Sequence, residues 1–250
     1  MIIKKVHYVW VGEGRFNATI KKCIKSWKKN LPNYEFKLWT VENAPMHVPF
    51  LRQAYDLKAW AFCSDYVRLY ALYNEGGIYL DTDMLVIKSI DRLLNADFFI
   101  GKEDETFLGG SIIGSIKGHE FIKRCLDYYD NASYDENFHL TNAFPKVITN
   151  IYNNYNRNMN LLVLANDYFY PYSYEDSQTD INPLSQITKN TIAIHLWTAR
   201  WFPDNYKGIL FAQRKKIFKA IWFLFKAYFK DPKLVYLKNI KYAISKYFGK

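Results

Sequence analysis

Asp81 and Asp83 are the residues of this sequence whose types and spacing are best suited to chemistry. One threonine separates them, and they follow the apolar run Ile78-Tyr79-Leu80, which is typical of a short buried strand. Two carboxylates this close repel each other, and a divalent cation with a preference for oxygen ligands relieves that repulsion. The pair therefore predicts a Mg²⁺ or Mn²⁺ site at a strand end. Because the motif is short, two solvated aspartates in a turn are the alternative.

A second charged pair, Asp65 and Arg68, precedes the aspartates on a predicted helix. The two residues are three apart and share a helix face, where the alternative to a functional role is a surface ion pair worth about a few tenths of a kcal/mol. Gly76 and Gly77 predict the end of this helix and a reversal of the chain, because glycine adopts positive φ without strain. An apolar stripe at intervals of three and four predicts the face that packs on a core: Phe62, Tyr66, Leu69, Tyr70 and Tyr73.

The first forty residues predict the framework that holds these groups. Residues 2–11 form an apolar, β-branched run, Asn17 can cap a helix that Pro32 ends, and residues 34–39 form a second apolar run. Strand, helix and strand in this order make a βαβ unit, and such sheets bind ligands beyond the carboxyl ends of their strands. Trp10 lies at such an end, either as a core residue or as a ligand contact.

The later segments continue the α/β pattern. Of the five histidines, His195 stands out because it comes at the end of an apolar run, as Asp81 does, although a lone histidine is more often a core residue than a ligand. The predicted elements are strands at 97–101, 111–115, 161–164 and 192–197 and helices at 119–129 and 144–155, with a polar loop containing Glu103, Asp104 and Glu105 and the pair Gly109-Gly110 between the first two strands.

The central stretch resembles a known family of enzymes. Residues 64–83 fit the pattern S-D-x-x-R-x₃-L-x₃-G-G-x-Y-x-D-x-D, which is similar to the sugar-nucleotide block of the family 32 glycosyltransferases of the bacterial capsular-polysaccharide type. That family is related to yeast α-mannosyltransferases and, more distantly, to clostridial glucosylating toxins. The resemblance implies a GT-A-type fold, a single Rossmann-like domain with a mixed sheet, over residues 1–206.

The resemblance also implies roles for individual residues. Asp81, Asp83 and His195 would hold Mn²⁺ or Mg²⁺. The implied catalytic residues are Asp65, Arg68, Asp81 and Asp83. The implied donor-binding residues are Trp10, Asp65, Arg68, Tyr79, Asp81 and Trp201, with Trp10 against the nucleotide base and Arg68 at the sugar or diphosphate.

The implied reaction is retaining transfer of a hexose from a nucleotide diphosphate sugar, a UDP-sugar, to a glycan or polyprenyl-linked glycan in surface polysaccharide synthesis. Two departures bear on this expectation: residues 141–145 replace the family's Thr-Gly-Pro turn, and Arg200 stands where the family has a serine. Two alternatives are a toxin-like transferase that glycosylates protein hydroxyls and a non-enzymatic basic protein that binds membranes or nucleic acid.

The positive charge is concentrated at the end of the chain. The net charge is +10, and residues 207–250 contain twelve of the 34 basic residues but one acidic residue, Asp231. Helical patterns at 209–230 and 233–248 combine lysines with aromatic and aliphatic residues. This predicts a basic amphipathic tail that binds an anionic membrane surface, with a helical pair packed on the catalytic domain as the alternative. Nucleic acid is not an expected partner, because no reader module is recognisable.

Composition sets the remaining expectations. With 250 residues, 50% hydrophobic and 18% aromatic, the chain can bury a full core. Its three cysteines are widely spaced and form no C-x-x-C motif. We therefore expect neither a disulfide framework nor a zinc site. We find no signal peptide and no apolar run of eighteen residues, so the expected location is the cytoplasm, peripheral at the inner face of the membrane.

Overall fold

The structure is a computed structural model, and it describes residues 1–12, 14–135, 138–154 and 161–198, the side chains of His139 and Leu140 excepted. Trp201, the predicted domain boundary after residue 206 and the predicted tail helices lie outside these residues. The helices and strands of the described part are β1 (Lys5–Val9), α1 (Ala18–Asn30), β2 (Glu35–Trp39), α2 (Pro49–Asp56), α3 (Trp60–Glu75), β3 (Gly77–Leu80), β4 (Met84–Val86), β5 (Phe98–Lys102), β6 (Leu108–Ser115), α4 (Glu120–Asp130), α5 (Phe138–Thr141), α6 (Phe144–Asn153), β7 (Leu162–Leu164) and β8 (Ala193–His195).

A mixed six-stranded sheet forms the centre of the fold, in the order β2-β1-β3-β6-β5-β7. The strands β1, β2 and β3 are parallel, β6 is antiparallel to both β3 and β5, and β7 is parallel to β5. All strands except β6 therefore point the same way, and their carboxyl ends meet at one edge of the sheet. This is the predicted α/β architecture with a mixed sheet, and the edge is where ligands are expected.

Two hydrophobic cores lie on the two faces of the sheet. Successive residues of β3 alternate between them, since Tyr79 packs in one core while Ile78 and Leu80 pack in the other. The first core contains residues of α2, α3, α4 and α6. The second contains residues of α1 together with β4 and β8, which pair as a separate two-stranded sheet. Trp27 links α1 to the two-stranded sheet, because its Nε1 donates to the carbonyl of Met84 in β4 at 2.6 Å.

The ends of two helices agree with their predictions. Asn17 caps α1, and α3, the helix before the aspartates, ends at Gly76 with φ +71°. Of the predicted apolar stripe, Tyr66 and Leu69 are buried. Asp65 and Arg68 are also buried, at 3% and 2% exposure, so the alternative of a surface ion pair is wrong. The α3 helix is therefore covered on two faces, the apolar one and the charged one.

Gly77 should tolerate no side chain, because its backbone and its surroundings both require glycine. Its φ is +104°, and an added Cβ would lie 2.5 Å from the carbonyl oxygen of Lys5 on β1. We expect Gly77→Ala to lower the free energy of unfolding in urea by about 3 kcal/mol, through backbone strain and overpacking together. The matched control is Gly118→Ala, where φ is +73° and nothing lies within 4 Å of the added Cβ, with an expected loss of about 1 kcal/mol. Equal losses in both variants would contradict the role of the Lys5 contact.

Candidate metal and donor site

The two aspartates lie directly beyond β3, at the edge of the sheet where the carboxyl ends of its strands meet. The Asp81 amide donates to the Ser111 carbonyl of the neighbouring β6 at 2.8 Å, and the Met84 amide closes a turn on the Asp81 carbonyl at 3.0 Å. Asp81 and Asp83 are 4% and 1% exposed. The placement at a strand end is thus confirmed, and the alternative of two solvated side chains is wrong.

The third member of the cluster, His195, comes from the far end of the chain. Strands β8 and β4 are antiparallel with Met84 opposite His195, and the Leu196 amide donates to the Asp83 carbonyl at 3.2 Å. This pairing places His195 Nε2 at 3.3 Å from Asp83 Oδ1. Asp81, Asp83 and His195 each offer a potential ligand atom, and these atoms all lie within 4.8 Å of one another.

Charge in this cluster is strongly coupled. Burial alone would raise the pKa of Asp83, but His195 and two hydrogen bonds from Thr198 outweigh it and lower that pKa to about 2. Burial alone would lower the pKa of His195, but the carboxylates of Asp83 and Asp81 outweigh it and raise that pKa. Asp83 therefore carries its charge throughout the physiological range, as a metal ligand must.

The residues present fit a divalent cation. Asp83 Oδ1 is buried and accepts no hydrogen bond from the residues that the structure describes. Its close partner is His195 Nε2 at 3.3 Å, and a cation held by both residues would compensate the buried charge in the same way. Two carboxylates and an imidazole are a ligand set that suits Mn²⁺, and the carboxylates also suit Mg²⁺.

Asp65 and Arg68 lie directly behind the cluster. The Arg68 Nη2 atom is 3.0 Å from Asp65 Oδ1 and 3.3 Å from Asp81 Oδ1. Burial raises the pKa of Asp65 to about 7, although Arg68 acts to lower it.

The other predicted donor-binding residues occupy different positions. Trp10 directly follows β1, and its amide donates to the Trp39 carbonyl at 2.8 Å. Its ring is partly exposed and packs edge-on against Phe16 at 5.0 Å. Tyr79 is 1% exposed, and its hydroxyl donates to Asp81 Oδ1 at 2.6 Å. No structure is described for Trp201.

Thr198 and Glu103 belong to the site but had not been predicted from sequence. Thr198 donates to Asp83 through both its amide and its hydroxyl, and the Trp197 ring lies 4.1 Å from that of His195, with φ +50° at Trp197. Glu103, in the β5–β6 loop, interacts electrostatically with His195 and Asp81, and burial raises its pKa to about 7. The loop had been noted as polar, but nothing in its sequence indicated that Glu103 faces the aspartates.

Comparison with known proteins agrees with this geometry. Residues 17–100, which contain Asp65, Arg68 and both aspartates, match the model of the glycosyltransferase sugar-binding region containing a DXD motif. Residues 115–205, which contain His195, match the model of the alpha 1,4-glycosyltransferase conserved region. The two matched regions thus each contribute residues to the same cluster.

Individual relatives match part of the chain. Inositol phosphoceramide mannosyltransferase 3 of Schizosaccharomyces pombe is 26% identical over 145 residues, which are 55% of this chain and 40% of the relative. Lactosylceramide 4-alpha-galactosyltransferase of Homo sapiens is 27% identical over 155 residues, 55% of this chain and 41% of the relative. The chain thus covers less than half the length of these two relatives.

Among solved structures, the PaToxG glycosyltransferase has a similar fold. The TM-score is 0.50 at 22% identity, covering 60% of this chain and 67% of that one. The fold class is thus α/β of the GT-A type, and in sequence the chain is similar to DXD-containing glycosyltransferases.

Proposed function

We propose that this protein is a metal-dependent retaining glycosyltransferase that moves a hexose from a UDP-sugar to a glycan or lipid-linked glycan acceptor in surface polysaccharide synthesis. The observation that carries the proposal is the convergence of Asp81, Asp83 and His195, with ligand atoms within 4.8 Å, at the carboxyl edge of a GT-A-type sheet. The two glycosyltransferase family matches support the reaction class.

The cluster explains how the chain would favour departure of a nucleoside diphosphate. Asp81, Asp83 and His195 would hold Mn²⁺ or Mg²⁺, which supplies positive charge to balance the negative charge of the leaving diphosphate. The buried side chains exclude water from the cluster, and this strengthens every electrostatic interaction within it. Trp10, partly exposed beyond β1, is positioned to stack on the nucleotide base.

Retention of configuration gives an α-linked product from an α-linked donor. The anomeric carbon loses its bond to the phosphate oxygen and gains a bond to the acceptor oxygen on the same face, and the acceptor proton passes to the departing phosphate. The family model that matches residues 115–205 is described as alpha 1,4-glycosyltransferase, which supports an α-linked product.

We also propose that residues 207–250 attach the protein to the inner face of the cell membrane, where polyprenyl-linked acceptors would lie. This segment contains twelve basic residues and one acidic residue, Asp231. Its positive charge supports the proposal, since each lysine near anionic lipid contributes about 1 kcal/mol to the free energy of membrane binding. Among the residues that the structure describes, no helix is long and apolar enough to cross a bilayer. Sedimentation with anionic vesicles, lost on deleting residues 208–250, tests this attachment.

The reaction is tested by hydrolysis of sugar nucleotides. We expect the full chain with Mn²⁺ to release UDP from one member of a panel of UDP- and GDP-sugars and to lose this activity in excess EDTA, with recovery when Mn²⁺ is restored. Such a result also names the donor. Release of GDP alone would overturn the choice of a UDP-sugar, and equal hydrolysis with and without a divalent cation would overturn metal dependence.

A further inference from the structure

Asp81 is held through one of its two carboxylate oxygens. In the described part of the chain, the side-chain hydrogen bonds to Asp81 both end on Oδ1: the Tyr79 hydroxyl donates at 2.6 Å and Arg68 Nη2 donates at 3.3 Å. These donors fix the direction of the carboxylate plane. The Oδ2 atom remains available to another partner.

Asp83 is also held through one carboxylate oxygen, by a residue 115 positions later in the sequence. Its Oδ2 accepts from the Thr198 amide at 2.9 Å and from the Thr198 hydroxyl at 3.0 Å. Its Oδ1 is buried, accepts no hydrogen bond from described residues, and lies 3.3 Å from His195 Nε2. Each aspartate therefore has one oxygen held by Tyr79 and Arg68 or by Thr198, while its other oxygen accepts no hydrogen bond from these three residues and, in Asp83, faces His195.

We infer that Tyr79, Arg68 and Thr198 are positioning residues, which bind one oxygen of each aspartate so that the other oxygen is presented to a cation. This inference rests on the metal site in the proposed function. Outer partners that orient a ligand commonly change metal affinity by about 10–100-fold when they are removed. The role assigned here acts through Asp81 and Asp83 and needs no contact with the donor.

The surroundings of Arg68 support this role over direct donor binding. Arg68 is 2% exposed, and its Nη1 donates to the Gly110 carbonyl at 2.9 Å while its Nη2 contacts Asp65 and Asp81. Its guanidinium carbon lies 4.6 Å from the centre of the Tyr79 ring and 4.5 Å from that of Phe144. The guanidinium is therefore surrounded by protein groups.

Tyr79 and Thr198 provide the sharpest test, because each can lose one hydroxyl with little change in shape. We expect Tyr79→Phe and Thr198→Val each to weaken the binding of Mn²⁺ alone by about tenfold, since each removes one hydrogen bond to a charged oxygen. The affinity is measured from the free Mn²⁺ signal in electron paramagnetic resonance titrations of the full chain. Because both variants act on ligands of one cation, the double variant should bind Mn²⁺ more weakly than either single variant, without strict additivity.

The chain offers matched controls away from the cluster. The Tyr66 hydroxyl donates to Asp130 Oδ1 at 2.7 Å, and the Thr188 hydroxyl donates to Asp167 Oδ2 at 2.8 Å. Tyr66→Phe and Thr188→Val therefore remove the same kinds of bond and should leave Mn²⁺ affinity unchanged. Thr198→Ser, which keeps the hydroxyl, should bind Mn²⁺ within about twofold of the wild type, because the hydrogen bond is retained.

The outcomes separate the inference from the proposed function. A wild-type chain that binds no Mn²⁺ would overturn the metal site and the inference with it. Wild-type binding that neither Tyr79→Phe nor Thr198→Val changes would overturn the inference alone, as would equal losses in the control variants. If one variant fails to fold, judged by its melting curve without Mn²⁺, the other carries the test.

Discussion

Substituting asparagine for Asp83 should lower donor hydrolysis about a thousandfold, because the lost negative ligand represents several kcal/mol of transition-state stabilisation. An asparagine side chain keeps the volume of the aspartate, and its amide oxygen can still accept the Thr198 hydrogen bonds that Oδ2 of Asp83 accepts. The substitution therefore removes charge with little change in packing. The measurement is the initial rate of UDP release from the donor found in the panel, at saturating Mn²⁺.

Asp130→Asn is the matched control for this prediction. Asp130 accepts the Tyr66 hydroxyl and lies outside the metal cluster, so its conversion to asparagine should leave hydrolysis within about twofold of the wild type, as is usual for surface substitutions of small energy. If Asp83→Asn retained more than about a tenth of the wild-type rate, which is a barrier change of only about 1.4 kcal/mol, the carboxylate of Asp83 would not be a metal ligand in the reaction.

The largest effect on stability is expected from Arg68→Met. The methionine would leave the carboxylates of Asp65 and Asp81, at 3% and 4% exposure, without their shared guanidinium. Removing one partner of a buried ion pair costs about 3–5 kcal/mol, and we expect a fall of this size in the free energy of unfolding in urea at about pH 8. The loss should appear without any donor or Mn²⁺ present.

Two further measurements identify the cause of that loss. Asp65→Asn in the Arg68→Met background should recover part of it, because one of the two uncompensated charges is removed. The difference from the wild type should also be smaller at about pH 5 than at about pH 8. The pKa of Asp65 is about 7 beside Arg68, which lowers it, and so is higher in the variant. At about pH 5 the folded variant therefore protonates this carboxyl and avoids the cost of a buried charge. A loss of the same size at both pH values and in both backgrounds would point to packing instead.

The sequence was sufficient to place the proposed metal ligands on the fold. A short apolar run before Asp81 and another before His195 predicted two strand ends, and both strands exist with these residues at or just beyond their ends. Paired glycines after the helix predicted its end, and Gly76 and Gly77 both have positive φ. These features depend on local backbone preferences, which a single sequence contains.

Other features depend on contacts between distant segments. Gly109 and Gly110 were expected in a connection before the strand at 111–115, yet they lie inside β6. Their hydrogens face large side chains, since an added Cβ would lie 2.2 Å from the Tyr170 hydroxyl or 2.4 Å from Phe144. Glycine serves here to admit aromatic rings from other segments, and local propensity does not contain that information. Helix α2 was likewise not predicted.

Burial of the Asp65–Arg68 pair could not be predicted either. Spacing of three places the two side chains together, but the pair is buried because β3 brings Asp81 and β6 brings the Gly110 carbonyl to Arg68. Thr198 contacts Asp83 across 115 residues of sequence, and no motif marks it. Such contacts become visible once the sheet order is known.

The separate pairing of β4 with β8 has a consequence for heat resistance. Each strand has three residues, and β8 carries His195 while leading directly to Thr198. The six-stranded sheet is hydrogen-bonded independently of this small one, so fraying of β8 can disassemble the cluster while most of the molecule keeps its structure. Thermal inactivation would then begin at a lower temperature than the loss of circular dichroism.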